Sequence, residues 1–499
     1  MRRIISAVTL LAAASALAAD YAADGPESRW WAPGAAHEIT ASLSYSNTAG
    51  TVTTLNLAAP TNTQQQPFFQ PLGSNGRACV TCHQPSDGMS ISVATIQERW
   101  RATDGHDPLF AMIDGANCPN QAAELEASHS LLLNRGLIRV ARAWPPKRDD
   151  GSTITPQFSI EVMRDPTHCN LDARYGLTSA NPAISVYRRP RPATNIKYLT
   201  AVGFTFEPKN GLPLLRDAES GERTSGNLMA DARVRTLKAQ AVDALRTHLE
   251  MQGNPTAEQL RQIIAFMSSL YTAQSADRWG GSLQAAGALG GPEELSRARA
   301  GELQATSTPI WREFLPWKQL PAVQPGDNPE QRAFRESVAR GADLFTNRMF
   351  LVSDSAGINN MGFGNPVRNP CAFCHNMQRT GMDVAPGQVD LGTTNSPHAN
   401  SSPELPLFKL TCDPRYAPHP HLGRVVYTQD PGYALTTGKC IDIGKITMQS
   451  MRALAARAPY FSNGSAQTLR EIVDFYDRRY QMQLTEQEKN DLVNLMSVL

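Results

Sequence analysis

Two five-residue stretches of one form carry the chemistry of this chain: Cys79-Val80-Thr81-Cys82-His83 and Cys371-Ala372-Phe373-Cys374-His375. Each offers two closely spaced thiols and an imidazole directly after the second. That order suits covalent attachment of one porphyrin, with a thioether from each Cys to a vinyl group and the imidazole on the iron. A structural zinc site would want four clustered ligands, and a dithiol redox motif does not need the trailing His. With 8 Cys and 10 His in 499 residues, chance produces such a string far less than once, and it occurs twice. The sequence therefore predicts two covalently bound haem c groups on Cys79, Cys82, Cys371 and Cys374, with His83 and His375 as proximal iron ligands.

The elements that must hold these groups read as mainly helical. Trp100 falls on a short helix just after the first stretch, and Ala230 to Met251 reads as another. Thr256-Ala257-Glu258-Gln259 has the form of a capping box, and Leu260, Ile263, Ile264, Met267 and Leu270 keep helical spacing behind it. Thr485-Glu486-Gln487-Glu488 opens a second such helix, with Leu492, Val493, Met496 and Leu499 in the same register. The two helices read as the closing helices of related cytochrome c units, one after each haem stretch. A further helix runs from Pro329 to about Phe345. Residues 20–67 read as an irregular arm, and 130–225 as hairpins and loops inserted into a helical domain. The expected fold is thus mainly α, two cytochrome c-like haem domains with long loops and a β/loop insertion in the N-terminal half. The expected domains are 20–271, with the insertion, and 329–499, joined by a connector over 272–328.

The start of the chain, Met1-Arg2-Arg3 with an apolar run from Ile4 to Leu17 and small residues to Ala19, has the pattern of a secretory leader over residues 1–19. Removing its two arginines takes the formal charge from +1 to −1, which suggests neither nucleic acid nor an anionic membrane surface as a partner. The apolar run is short for a bilayer span, and no later stretch supplies one. The mature chain is expected to be soluble and periplasmic or secreted, where covalent haem attachment takes place in bacteria. In such an oxidising compartment the four remaining cysteines predict disulfides Cys118–Cys169 and Cys412–Cys440; the other two connectivities stay open at this point.

Near the C-terminus, Gly444-Lys445-Ile446-Thr447, Met451-Arg452, Ala458-Pro459-Tyr460-Phe461, Asn463-Gly464-Ser465 and Thr468-Leu469 resemble the pattern F-K-x-P-x-L-R, A-P-Y-F-H-D-G-S, T-L-E of the bacterial dihaem cytochrome c peroxidase superfamily. That superfamily also holds the methylamine-dehydrogenase-maturing enzyme and dihaem rubber oxygenases. The C-terminal half matches along most of its length, while residues 100–330 are much longer than in small peroxidases. Ser462 stands where the pattern has His, and Thr447-Met448 replaces the residue pair ending in Pro. The resemblance implies one reactive haem, the first, and one electron-transferring haem. It places Tyr476 where that second haem takes its sixth ligand, although on an amphipathic helix Tyr476 also reads as a core aromatic. No His stands at the distal position of the first haem; Arg99 or Trp100 falls near it. Glu98, Arg99, Trp100 and Glu258 are then weak candidates for proton transfer or charge stabilisation. His106, His129 and His248 are looser distal candidates. Met89 and Met382 read as packing against porphyrin.

The implied function is a periplasmic dihaem c-type oxidoreductase of peroxidase type. Its partners would be a small electron-donor or acceptor protein and hydrogen peroxide or dioxygen. Two alternatives stand beside it: a dihaem oxygenase acting on an organic substrate, and an electron-transfer cytochrome without catalysis.

Overall fold

The computed structural model describes residues 30–148, 150–203, 216, 221, 222, 224–303, 309–323, 325–383 and 387–499; the expected leader, 1–19, lies outside them. Strands β1 (Ser42–Ser46) and β2 (Gly50–Asn56) form an antiparallel hairpin. Helix α1 (Val93–Thr103) follows the first C-x-x-C-H stretch. Ser92 caps it by accepting the Thr95 N–H at 3.1 Å, and Asp104 ends it in the left-handed region at φ 46°. Strands β3 (Ile138–Ala143), β4 (Phe158–Arg164) and β5 (Ala183–Arg188) come next. Helices α2 (Leu237–Thr247) and α3 (Ala257–Ser269) follow, and α3 runs directly into strand β6 (Leu270–Asp277). Helix α4 (Pro329–Asn347) precedes the second stretch. Strands β7 (Leu407–Cys412) and β8 (Val425–Thr428) and helices α5 (Leu469–Tyr480) and α6 (Glu486–Ser497) complete the chain.

The expectation of a mainly α fold is corrected by this element list. Of the described residues 31% are helix and 18% strand, with the strands in six small sheets, so the fold is mixed α/β. The largest sheet has the order β1-β2-β6 plus the two-residue strand Gly281–Ser282. It takes β1 and β2 from the segment expected to be an irregular arm. Strand β1 alternates, with Leu43 buried and its serines outward, while β2 carries Thr51, Thr53 and Thr54. The hydroxyls bond across the sheet, Thr53 to Ser44 at 2.8 Å and to Ser275 at 2.7 Å, and Thr54 to Thr272 at 2.9 Å. The partner strand β6 lies more than 200 residues away, so the pairing has no local sequence signal.

A second sheet, β8-β7-β4, joins the expected insertion to the part of the chain after the second C-x-x-C-H stretch. Cys412 at the end of β7 is bonded to Cys440, and Cys118 to Cys169, as the sequence predicts. The two capping boxes also form. Thr256 and Gln259 exchange bonds at 3.1 and 2.8 Å, and Thr485 and Glu488 at 3.2 and 2.8 Å. Helices α4 and α6 pack at close range because Gly341 has no side chain: a Cβ there would lie 2.1 Å from Asp491 O. The same contact is fixed by Ser337 and Arg340, which donate to the Asp491 carboxylate at 2.6 and 2.9 Å. Against this pair pack Trp311, Phe314 and Trp317, all fully buried and all from the segment read as a connector. Among the described residues no helix is long and apolar enough to cross a membrane.

Candidate functional site

The two C-x-x-C-H stretches fold alike. Cys79–Thr81 and Cys371–Phe373 each make a single tight turn, and each turn is closed by a bond from the His N–H back to the first Cys carbonyl, 3.2 Å for His83 and 3.0 Å for His375. The thiols of both stretches are free rather than joined in disulfides. Burial pushes Cys79 and Cys371 up to about 12 and Cys82 up to about 11, so they are neutral thiols rather than thiolates. No group of three or more His, Cys, Asp or Glu able to hold a metal ion occurs among the described residues.

The imidazoles are oriented in the same way as well. His83 Nδ1 lies 3.0 Å from Met89 O and His375 Nδ1 2.6 Å from Gly381 O, in each case a carbonyl six residues further on. A carbonyl oxygen only accepts, so Nδ1 carries the proton and Nε2 presents its lone pair. Burial lowers His83 to about 4 and moves His375 in the same direction, which keeps both rings neutral and able to ligate. Met89 thus contributes its backbone, held at φ 59°, as well as a buried side chain.

Each stretch opens onto a cavity, of about 190 Å³ at the first and about 250 Å³ at the second. The second is walled by Phe345, Val389, Leu391, Met448, Phe461 and Tyr476, among others. Two thiols, one neutral imidazole with a free Nε2 and a largely apolar wall are the donor set and surroundings that a thioether-linked haem needs. Arg189, Pro190, Gln449 and Ser450 line both cavities, so the two sites share one wall. Met382, which follows the second stretch in sequence, walls the first cavity.

The residues singled out in the sequence are distributed unequally. Tyr476 faces the second cavity from α5, its ring stacked on Tyr480 with centroids 6.2 Å apart. Burial raises Tyr476 far above the ordinary phenol value and Tyr480 to about 12. Tyr480 bonds Ser355 at 2.8 Å, whereas the Tyr476 hydroxyl has no hydrogen-bond partner among the described residues. Ser462, Thr447 and Met448 line the same cavity. Glu98, Arg99 and Trp100 line neither cavity. Arg99 is fully buried on Asp107 and the Thr81 carbonyl, and Trp100 packs on Phe110 and His129. Glu258 is exposed and bound to Arg261 on the surface of α3. His129 is buried with its two ring nitrogens against the Gly115 and Ala123 carbonyls, and His106 is bonded to Thr103 O. Only His248 of these imidazoles reaches a cavity, the first. Its Nδ1 lies 2.5 Å from Asp114 Oδ2, and the other carboxylate oxygen accepts from Arg77.

The run Arg188-Arg189-Pro190-Arg191 lines the first cavity at the end of β5 and was not distinguished in the sequence from other proline clusters. The available signal was three arginines in four residues directly after the apolar strand pattern Ala183-Ile184-Ser185-Val186-Tyr187.

No family model matches the chain, and no solved structure matches it. In an alignment of 82 positions that covers 14% of this chain, the chain is 37% identical to a curated protein named cytochrome-c peroxidase IdrP1, from Denitromonas iodatirespirans. The chain spans 22% of that protein's length. The chain is thus similar in part to a peroxidase-type cytochrome.

Proposed function

We propose that this chain is an exported dihaem c-type oxidoreductase of peroxidase type, with the first cavity as the reactive site and the second as the electron port. The observation that carries this reading is the pair of cavities with a common wall, each lined by a C-x-x-C-H stretch whose His is locked with Nε2 free. Bound haem supplies a redox-active iron with an exchangeable sixth position. The chain supplies the rest. Met89 O and Gly381 O hold the two proximal imidazoles in one tautomer. In the first cavity, His248 donates its Nδ1 proton to Asp114, which leaves Nε2 as an acceptor for a proton from bound peroxide. Apolar walls exclude water around both sites. At the second site, exposed Phe363 meets Phe373 of the motif at 5.5 Å between ring centroids, and Met361, two residues before it, is exposed as well. Such an apolar approach suits transient docking of a small electron-carrier protein.

The test is on the chain expressed with haem-maturation machinery. Mass and pyridine haemochrome measurements are expected to give two covalent haems. One haem should bind cyanide, and peroxide should oxidise a reduced small cytochrome in its presence. Two low-spin haems inert to ligands, with no peroxide turnover, would instead assign the chain as an electron carrier.

A further inference from the structure

Three arginines on the wall between the cavities have no carboxylate partner among the described residues. Arg189 gives its guanidinium to the carbonyls of Gly136, Ile91 and Arg457, at 3.3, 2.5 and 2.8 Å. Arg457 donates to Arg452 O, Ser450 O and Gln449 Oε1, at 3.3, 2.6 and 3.4 Å. Arg191 donates to Asn227 O at 2.9 Å, Met229 O at 2.8 Å and Met448 O at 2.7 Å, and also to Thr447 Oγ1 and Asn227 Oδ1. All of these acceptors are neutral. Their neighbours are different: Arg188 is paired with Asp430 and Asp231, Arg233 with Asp231 and Asp243, Arg77 with Asp114, and Arg452 with Glu313. Of the residues lining the two cavities, only Asp114 carries a carboxylate, and it is committed to Arg77 and His248.

A buried guanidinium surrounded by carbonyls satisfies its hydrogen bonds but not its charge. Burial, with Arg457 repelling the other two, pulls Arg189 and Arg191 down to about 9, and burial pulls Arg457 down to about 10. Asp87 favours the charged form of Arg189, and Asp231 that of Arg191, without offsetting burial. Three like charges around two cavities with a single, already committed carboxylate call for an anion that the described residues do not supply.

We propose that Arg189, Arg191 and Arg457 form a carboxylate-binding cluster for the propionate groups of the two haems, with Arg189 serving both cofactors. The inference rests on the dihaem reading above. It assigns Arg191 to the first haem and Arg457 to the second, because each lines only that cavity. Beyond anchoring, the cluster would set both reduction potentials, since a fixed cation beside a haem favours its reduced state.

The experiment is a spectroelectrochemical titration of holoprotein, wild type and variants, after haem counting. Arg189→Gln is expected to lower both midpoint potentials, Arg191→Gln the first alone and Arg457→Gln the second alone, with Arg189→Lys recovering most of the loss. Variants that keep two haems with wild-type potentials would overturn the inference and leave the dihaem reading standing. A wild-type count other than two would overturn both. A crystal structure of the wild-type holoprotein gives a readout independent of variant folding. Propionate oxygens on these guanidinium groups are expected, and propionates turned away from them, with another carboxylate or an inorganic anion in their place, would overturn it.

Discussion

Arg99 and Asp107 meet behind the first C-x-x-C-H loop, with Nη2 2.5 Å from Oδ1 and Nε 2.9 Å from Oδ2, while Arg99 Nη1 donates to Thr81 O at 2.6 Å. A fork-to-fork pair so deeply buried fixes the loop that carries both thiols. Asp107→Asn would leave a buried guanidinium without its counter-charge, at a cost of about 3 kcal/mol. Denaturant unfolding of the variant is expected to show that loss together with incomplete haem attachment at the first site and full attachment at the second. Equal attachment at both sites would detach Arg99 from the role of loop anchor.

Asp114 carries a pH dependence whose sign follows from its surroundings. Burial works against its ionisation, but the Arg77 guanidinium and the His248 imidazole outweigh burial and hold the carboxyl below its usual range. A depressed folded value means that the stabilisation is complete above the unfolded value, about 3.9, and is lost as pH falls through the folded one. Asp114→Asn is expected to cost about 3 kcal/mol at neutral pH. The gap between variant and wild type should shrink below about pH 4. A gap independent of pH in urea titrations would contradict this assignment.

Tyr476 separates packing from ligation. Its hydroxyl has no protein partner among the described residues, so Tyr476→Phe is expected to change stability by less than about 1 kcal/mol. In holoprotein the same variant is expected to shift the second haem toward high spin, read by electron paramagnetic resonance. An unchanged spectrum would leave Tyr476 as a core aromatic beside Tyr480.

The two disulfides close loops of 51 and 28 residues in sequence separation. Replacing either pair by serine is expected to cost about 3–4 kcal/mol, with the Cys118–Cys169 loop at the upper end. Thermal unfolding of the paired variants, with haem content checked, measures this. A larger loss for the shorter loop would point to lost packing around Cys440 rather than to chain entropy.

What the sequence determined by itself is local. The C-x-x-C-H order dictates a tight turn and places an imidazole next to two thiols, and the two capping boxes start their helices wherever the chain later puts them. Helix α4 was legible as a helix from Pro329 to about Phe345, and the disulfides as one cysteine pair in each half, with the other two connectivities left open until the tertiary structure. The tertiary structure decided what depends on distant partners. Strands β1 and β2 acquire a sheet only because β6 lies beside them, and the threonine hydroxyls of β2 bond across to it. Glu98, Arg99 and Trp100 follow the first C-x-x-C-H stretch closely in sequence, yet they line neither cavity: Arg99 is committed to Asp107 and Thr81, and Trp100 packs on Phe110 and His129. Arg189 and Ser450, far apart in the chain, become one wall between two cavities. No periodicity or spacing encodes such a meeting, since it is fixed by the packing of whole elements and by the charge that the wall must accommodate.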